Sequence, residues 1–166
     1  MEFKERMKKV CIIGSAGFVG KNIFKVLNED YSLAGIDIKK SETTTHTIER
    51  IDSSTKLVLD LINPDILIDC KKLPRSVDYY ELNHEEASNT DLDGTKLLVE
   101  WVNDKKRKMI YVSSDYVYPG ETNGYDEKSK VNPINFYGQL RVKSEAIVSE
   151  LANHVILRPT VVFGYD

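Results

Sequence analysis

The chain is poor in four things, and each shortage excludes a class of protein. Cysteine occurs only twice in 166 residues, at Cys11 and Cys70. Both lie in apolar runs that read as strands, which makes them small buried hydrophobes of a cytoplasmic protein and leaves no disulfide framework. A basic excess is absent, since 23 Lys and Arg stand against 26 Asp and Glu for a net charge of -3. Nothing then supplies the counterion release on which general nucleic-acid binding rests, so a nucleic-acid partner is not expected. No apolar run approaches the roughly 20 residues of a bilayer span, so no membrane insertion is expected. Histidine occurs three times, and His46, His84 and His154 share no metal-ligand spacing, so no metal site is expected.

What remains reads as one globular domain over residues 1–166, 41% apolar and 30% charged. A chain of this size buries about 70% of its extended surface and needs no staple. Lys4, Arg6, Lys8 and Lys9 ahead of an apolar stretch imitate a secretory signal, but Gly14, Gly17 and Gly20 break the stretch and no cleavage-like site follows. Neither an internal repeat nor an interdomain linker is visible.

Lys9 to Ile13 reads as a strand, and Phe18, Val19, Ile23, Phe24, Val26 and Leu27 follow with helical spacing. Tyr31 to Ile38 reads as a second strand and Thr47 to Ile51 as a weak third. A helix is expected from Thr55 to Ile62, capped by Ser53 or Ser54 and ended by Asn63-Pro64. Asp65 to Cys70 has the continuous apolar character of a buried parallel strand. One long helix from about Glu81 to Asn103 comes next, then a strand at Met109 to Ser113 and a loop from Ser114 to Asn135. A helix at Phe136 to Leu151 and a strand at Val155 to Leu157 complete the pattern. Strands alternating with helices predict an α/β fold, a Rossmann-type doubly wound parallel sheet covered on both faces.

Gly14-Ser15-Ala16-Gly17-Phe18-Val19-Gly20 spaces three glycines between a strand and a helix. The first permits a tight turn, the second lets backbone approach a pyrophosphate, and the third allows close packing of helix on strand. The helix start then offers free N–H groups to phosphates. Asp37, 17 residues beyond Gly20, stands where a carboxylate accepts hydrogen bonds from ribose hydroxyls, which favours NAD. Lys39 and Lys40 follow at once and suit the extra phosphate of NADP, or simply a solvated turn.

Two further motifs carry chemistry. Tyr111-Val112-Ser113-Ser114-Asp115-Tyr116-Val117-Tyr118 leaves a strand at the end where open α/β sheets bind ligands, and Pro133-Ile134-Asn135-Phe136-Tyr137-Gly138 opens a helix. With the glycine turn, Gly124-Tyr125-Asp126-Glu127, Asp93-Gly94-Thr95 and Leu157-Arg158-Pro159, they make the chain resemble the extended short-chain dehydrogenase/reductase family. Within it, the dTDP-4-dehydrorhamnose reductase branch is most similar. The resemblance runs from Val10 to Gly164. It implies hydride transfer between a nicotinamide cofactor, NAD or NADP, and a keto-sugar carried on a nucleotide. By motif matching Tyr137 is the acid, Ser114 the hydroxyl that holds the carbonyl, and Arg141 the neighbouring cation. Ser113 points to the other face of its strand and is the weaker candidate. To the cofactor the resemblance assigns Gly14, Ala16, Gly17, Phe18, Val19, Gly20, Asp37, Ile38, Asp52, Cys70, Lys71 and Arg158.

The chain departs from that pattern at three places. Relatives carry lysine one helical turn after the tyrosine, where this chain has Arg141, and Lys143 lies about 120° away around the helix. Arginine supplies charge and donors but is bulkier and does not shuttle a proton. Small alanines are replaced by Lys71-Lys72, which either salt-bridge a pyrophosphate or fill its space. An asparagine is replaced by Asp91. These departures support a second reading, a non-catalytic binding or regulatory protein of the kind the methionine adenosyltransferase regulatory subunit represents. A nucleotide-sugar epimerase or dehydratase is a third. Tyr116, Tyr118 and Tyr125 read as loop anchors, and Asp115 and Glu127 as substrate contacts or turn residues. Family members continue into a substrate lobe beyond the Arg158-Pro159 strand, which this sequence largely lacks. They often dimerise through helices matching Glu81 to Asn103 and Phe136 to Leu151.

Overall fold

The computed structural model describes residues 6–121 and 124–164. Lys4 of the signal-like start and the two terminal residues 165–166 lie outside them. Six parallel strands form one sheet: β1 (Lys9–Ile13), β2 (Ser32–Asp37), β3 (His46–Thr47), β4 (Ile66–Asp69), β5 (Lys108–Val112) and β6 (His154–Leu157). Their order is β3-β2-β1-β4-β5-β6, with Val10 opposite both Leu33 and Ile66. The architecture is the Rossmann-like α/β sheet expected from the alternation of strand and helix patterns. Strands buried on both faces read as unbroken apolar runs, and Val10 to Ile13 are at most 1% exposed.

Helices α2 (Ser53–Ile62), α5 (Gly94–Asp104) and α6 (Phe136–Val148) cover one face. Leu59, Leu98, Trp101 and Val148 pack there on Cys11, Leu67, Met109 and Tyr111. Full burial of each large aliphatic side chain contributes about 1.5–3 kcal/mol, so this layer dominates the core. The other face carries α1 (Phe18–Leu27), whose Ile23, Phe24 and Leu27 meet Val10, Ile12 and Ile68. Coverage of that face ends before the sheet does: Val155 and Leu157 of β6 remain 36% and 46% exposed. The expectation of helices over both faces therefore holds for β1 and β4 and not for the β6 edge.

Two element boundaries differ from the sequence pattern for identifiable reasons. The cap of α2 is Asp52, not Ser53 or Ser54; its carboxylate accepts from the Ser54 N–H while the Thr55 hydroxyl accepts from the Asp52 N–H. That reciprocal pair starts the helix earlier. The expected long helix from Glu81 is instead α3 (Val77–Leu82), α4 (His84–Ala87), a π-helical turn Ser88–Asp93, and α5. Asn83 leaves the helical region at φ -135°, ψ 57° and interrupts the run. The widened π turn carries Asp91 inward to full burial. Among the described residues no helix is long and apolar enough to cross a membrane.

Candidate functional site

The strand order reverses beside β1, which has β2 on one side and β4 on the other, and open α/β sheets place their ligands outside the carboxyl ends of strands at such a point. Gly14 takes φ 81°, a conformation that disfavours any side chain, and a Cβ there would come 2.9 Å from the Lys71 nitrogen. A Cβ on Gly20 would run into the Gly14 carbonyl. The turn is thus drawn tight against α1 and against the segment leaving β4. No side chain caps α1 at Gly17, so its first N–H groups stay open to an anion.

A cleft of about 1500 Å³ lies over this turn. Its walls include Gly14, Ala16, Gly17, Phe18, Val19, Gly20, Asp37, Ile38, Asp52, Cys70 and Lys71. Those are all the cofactor residues assigned by motif except Arg158. Asp37 faces the turn, one carboxylate oxygen accepting from the Ala16 N–H at 2.8 Å and the other from the Lys39 N–H at 2.9 Å. Asp52 closes the far end, its carboxyl held down at about 2 by hydrogen bonds from Ser54 and Arg50. Burial pushes the Cys70 thiol up to about 12, so at neutral pH it is an uncharged part of the wall.

Arg158 is not part of the wall. Its guanidinium makes a two-point contact with Glu145 of α6, at 2.9 and 2.7 Å, and donates to the Tyr118 hydroxyl at 2.8 Å. Its place at the end of β6 makes it a tie between sheet, helix and loop. Tyr118 also stacks on Tyr125 at 4.5 Å and donates to the Asp126 carbonyl. These are the loop-anchoring contacts anticipated for the two tyrosines.

The turn that Ser114 opens after β5 lies on the start of α6, which carries Tyr137. Ser114 caps a 3-10 turn at Asp115–Val117, its hydroxyl accepting from the Tyr116 N–H. A Cβ on Gly138 would collide with the Tyr116 carbonyl, so glycine after Tyr137 lets the two elements touch. The Tyr116 and Tyr137 rings meet edge to face at 5.5 Å, and Tyr80 approaches Tyr137 at 5.0 Å. Tyr137 and Ser114 are 7% and 8% exposed and are not in the cleft's lining, and Lys72 of the wall lies over the Tyr137 ring.

Arg141 does not face the cleft. It is 1% exposed, and its donors go to Asp91 at 2.9 Å, the Tyr111 hydroxyl at 2.9 Å and the Lys71 carbonyl at 3.4 Å. Only the flat side of the guanidinium reaches the tyrosine, 4.9 Å from the Tyr137 ring centroid. Asp91 is fully engaged, one oxygen accepting from the Leu73 N–H and the other from Arg141 and the Tyr80 hydroxyl. Lys71 is similarly committed, with Nζ 2.7 Å from Asp69 and 2.5 Å from the Thr95 hydroxyl. Sequence reasoning missed Tyr80, whose packing against Tyr137 and bond to Asp91 depend on α3 folding back onto α6.

A family model described as RmlD substrate binding domain matches residues 7–166, and the chain belongs to that family. Among curated relatives, the methionine adenosyltransferase 2 subunit beta of Bos taurus is 25% identical over 161 residues, covering 95% of this chain and 48% of the relative. The dTDP-4-dehydrorhamnose reductase of Aggregatibacter actinomycetemcomitans is 26% identical, covering 95% and 53%. Among solved structures, dTDP-4-dehydrorhamnose reductase from Bacillus anthracis in complex with NADP shares 30% identity with a TM-score of 0.81, over 93% of this chain and 54% of that one. UDP-glucose 4-epimerase from Brucella ovis in complex with NAD has the same TM-score at 19% identity, which shows the fold alone. The chain spans about half the length of these relatives.

Proposed function

We propose that the chain is the dinucleotide-binding part of an NAD(P)-dependent keto-sugar reductase of the dTDP-4-dehydrorhamnose reductase kind. The observation that carries this reading is the glycine turn: Gly14 and Gly20 leave no room for a Cβ, which draws the turn tight against α1 and leaves the helix's uncapped N–H groups at the cleft, with Asp37 beside them at the end of β2. The residues present fit a nicotinamide dinucleotide, which supplies the hydride when bound. Asp37 takes the ribose hydroxyls and so favours NAD, while Lys39 sits on the same wall where the extra phosphate of NADP would meet it. Ser114 donates its hydroxyl to the sugar carbonyl, polarising it, and Tyr137 gives its phenolic proton to the oxygen as the alkoxide develops. Arg141 serves that pair as a buried neighbour behind the Tyr137 ring.

The reading is tested by following NADH and NADPH oxidation with dTDP-4-dehydrorhamnose. Turnover that disappears in Tyr137→Phe, with cofactor binding kept, supports it; cofactor binding without turnover overturns the catalytic half. One observation favours a second reading, a binding or regulatory protein without turnover: the Arg141 guanidinium is engaged by Asp91, the Tyr111 hydroxyl and the Lys71 carbonyl and is itself 1% exposed.

A further inference from the structure

We infer that Lys72 is the cation that receives the pyrophosphate of a dinucleotide in this cleft, an inference that rests on the dinucleotide reading above. The two lysines after Cys70 have separate fates. Lys71 turns inward to Asp69, whereas Lys72 stays exposed on the cleft wall and forms no ion pair among the described residues. Its ammonium donates only to backbone carbonyls, of Arg75 at 2.7 Å and Leu73 at 3.4 Å, and rests 5.7 Å from the ring centroids of both Tyr80 and Tyr137. Lys71, Arg141 and Arg50 are matched by Asp69, Asp91 and Asp52, while Lys39 lies by Asp37 at the β2 end of the cleft, away from the segment that presses on Gly14.

An accessible ammonium with no carboxylate partner is free to make charge-assisted hydrogen bonds to an arriving anion. Partial desolvation and the nearby Arg141 charge push Lys72 below the usual lysine range. The anion's place is within reach, because Lys72 follows directly on the Lys71 nitrogen that presses on Gly14, and it shares the cleft with Gly14 and Gly17. Its flexible four-carbon stem lets the ammonium swing from the tyrosine rings to the phosphates at the open end of α1. Asp91 keeps Arg141 from doing so.

The test is calorimetric titration of NADH and of ADP-ribose, which keeps the pyrophosphate without the nicotinamide, into the protein and its Lys72→Met and Lys72→Arg variants. Lys72→Met is expected to weaken both ligands by about tenfold and to flatten the loss of affinity with added salt, and Lys72→Arg to restore most of it. Unchanged or tighter binding by Lys72→Met overturns the inference while leaving the dinucleotide reading standing. Absence of binding by the unaltered protein overturns both. If Lys72→Met fails to fold, an unweakened, salt-insensitive affinity in the unaltered protein is the contradicting result.

Discussion

Arg141 and Asp91 form an ion pair sealed inside the domain, 2.9 Å between Nη2 and Oδ2, with side-chain exposures of 2% and 1%. The pair joins α6 to the π turn before α5 and draws in the Tyr80 and Tyr111 hydroxyls. Two departures from the reductase pattern that look separate in the sequence therefore meet in one ion pair. Asp91 and Arg141 are partners, and neither charge is left uncompensated. A third departure, Lys71, is balanced in the same way by Asp69.

That coupling is measurable. Asp91→Leu or Arg141→Met alone strands a buried charge, at a cost of about 3–5 kcal/mol. The double variant removes both charges and should lose clearly less than the sum of the singles. Urea unfolding of all four proteins gives the cycle, and strict additivity would show that the two residues do not act as a pair.

Gly20→Ala places a methyl group against the Gly14 carbonyl. Overpacking of this kind costs about 1–3 kcal/mol, and here it also deforms the turn that a pyrophosphate needs. Thermal unfolding should show a lowered midpoint and titration with NADH a loss of binding. A variant that binds as well as the unaltered protein would remove the glycine turn from the account.

Asp37→Ala removes a carboxylate that contacts the Ala16 N–H and faces the ribose position. NADH affinity should fall by about tenfold, and NADPH affinity by less, because a negative charge that opposes the extra phosphate is removed as well. Competition titration of the two cofactors reads the ratio directly. An unchanged ratio would mean that Asp37 supports the turn only.

The buried Cys11 thiol and the partly buried Cys70 thiol give the protein an alkaline weakness. Burial raises Cys11 and Cys70 from the ordinary 9.0 to about 12 in the folded state. The unfolded chain releases those protons first, so their contribution is fully present below pH 9 and is lost as pH rises from 9 towards 12. Unfolding midpoints across that window should decline, less steeply in a Cys11→Ala/Cys70→Ala variant. Iodoacetamide should leave both thiols unmodified in the native protein near neutral pH.

Much of the fold was legible because apolar runs and the glycine turn are local signals. β1, β2 and β4 followed from spacing alone, and the residues that the resemblance assigned to a cofactor, Arg158 apart, line one cleft. The failures concern interactions that cross the chain. Glu81 to Asn103 carries helical spacing, yet Asn83 and the π turn interrupt it to bury Asp91. Arg141 matches the family's lysine in position, but its direction is decided by Asp91, 50 residues away. Arg158 likewise answers to Glu145 and Tyr118, and nothing local in Leu157-Arg158-Pro159 announces either partner. Side-chain charge is visible in a sequence, whereas its partner depends on the finished packing.

Titration calorimetry of NADH and NADPH into the purified chain tests the central claim most directly. The account predicts saturable one-to-one binding of at least one of them. No heat and no thermal protection from either at millimolar concentration would contradict it.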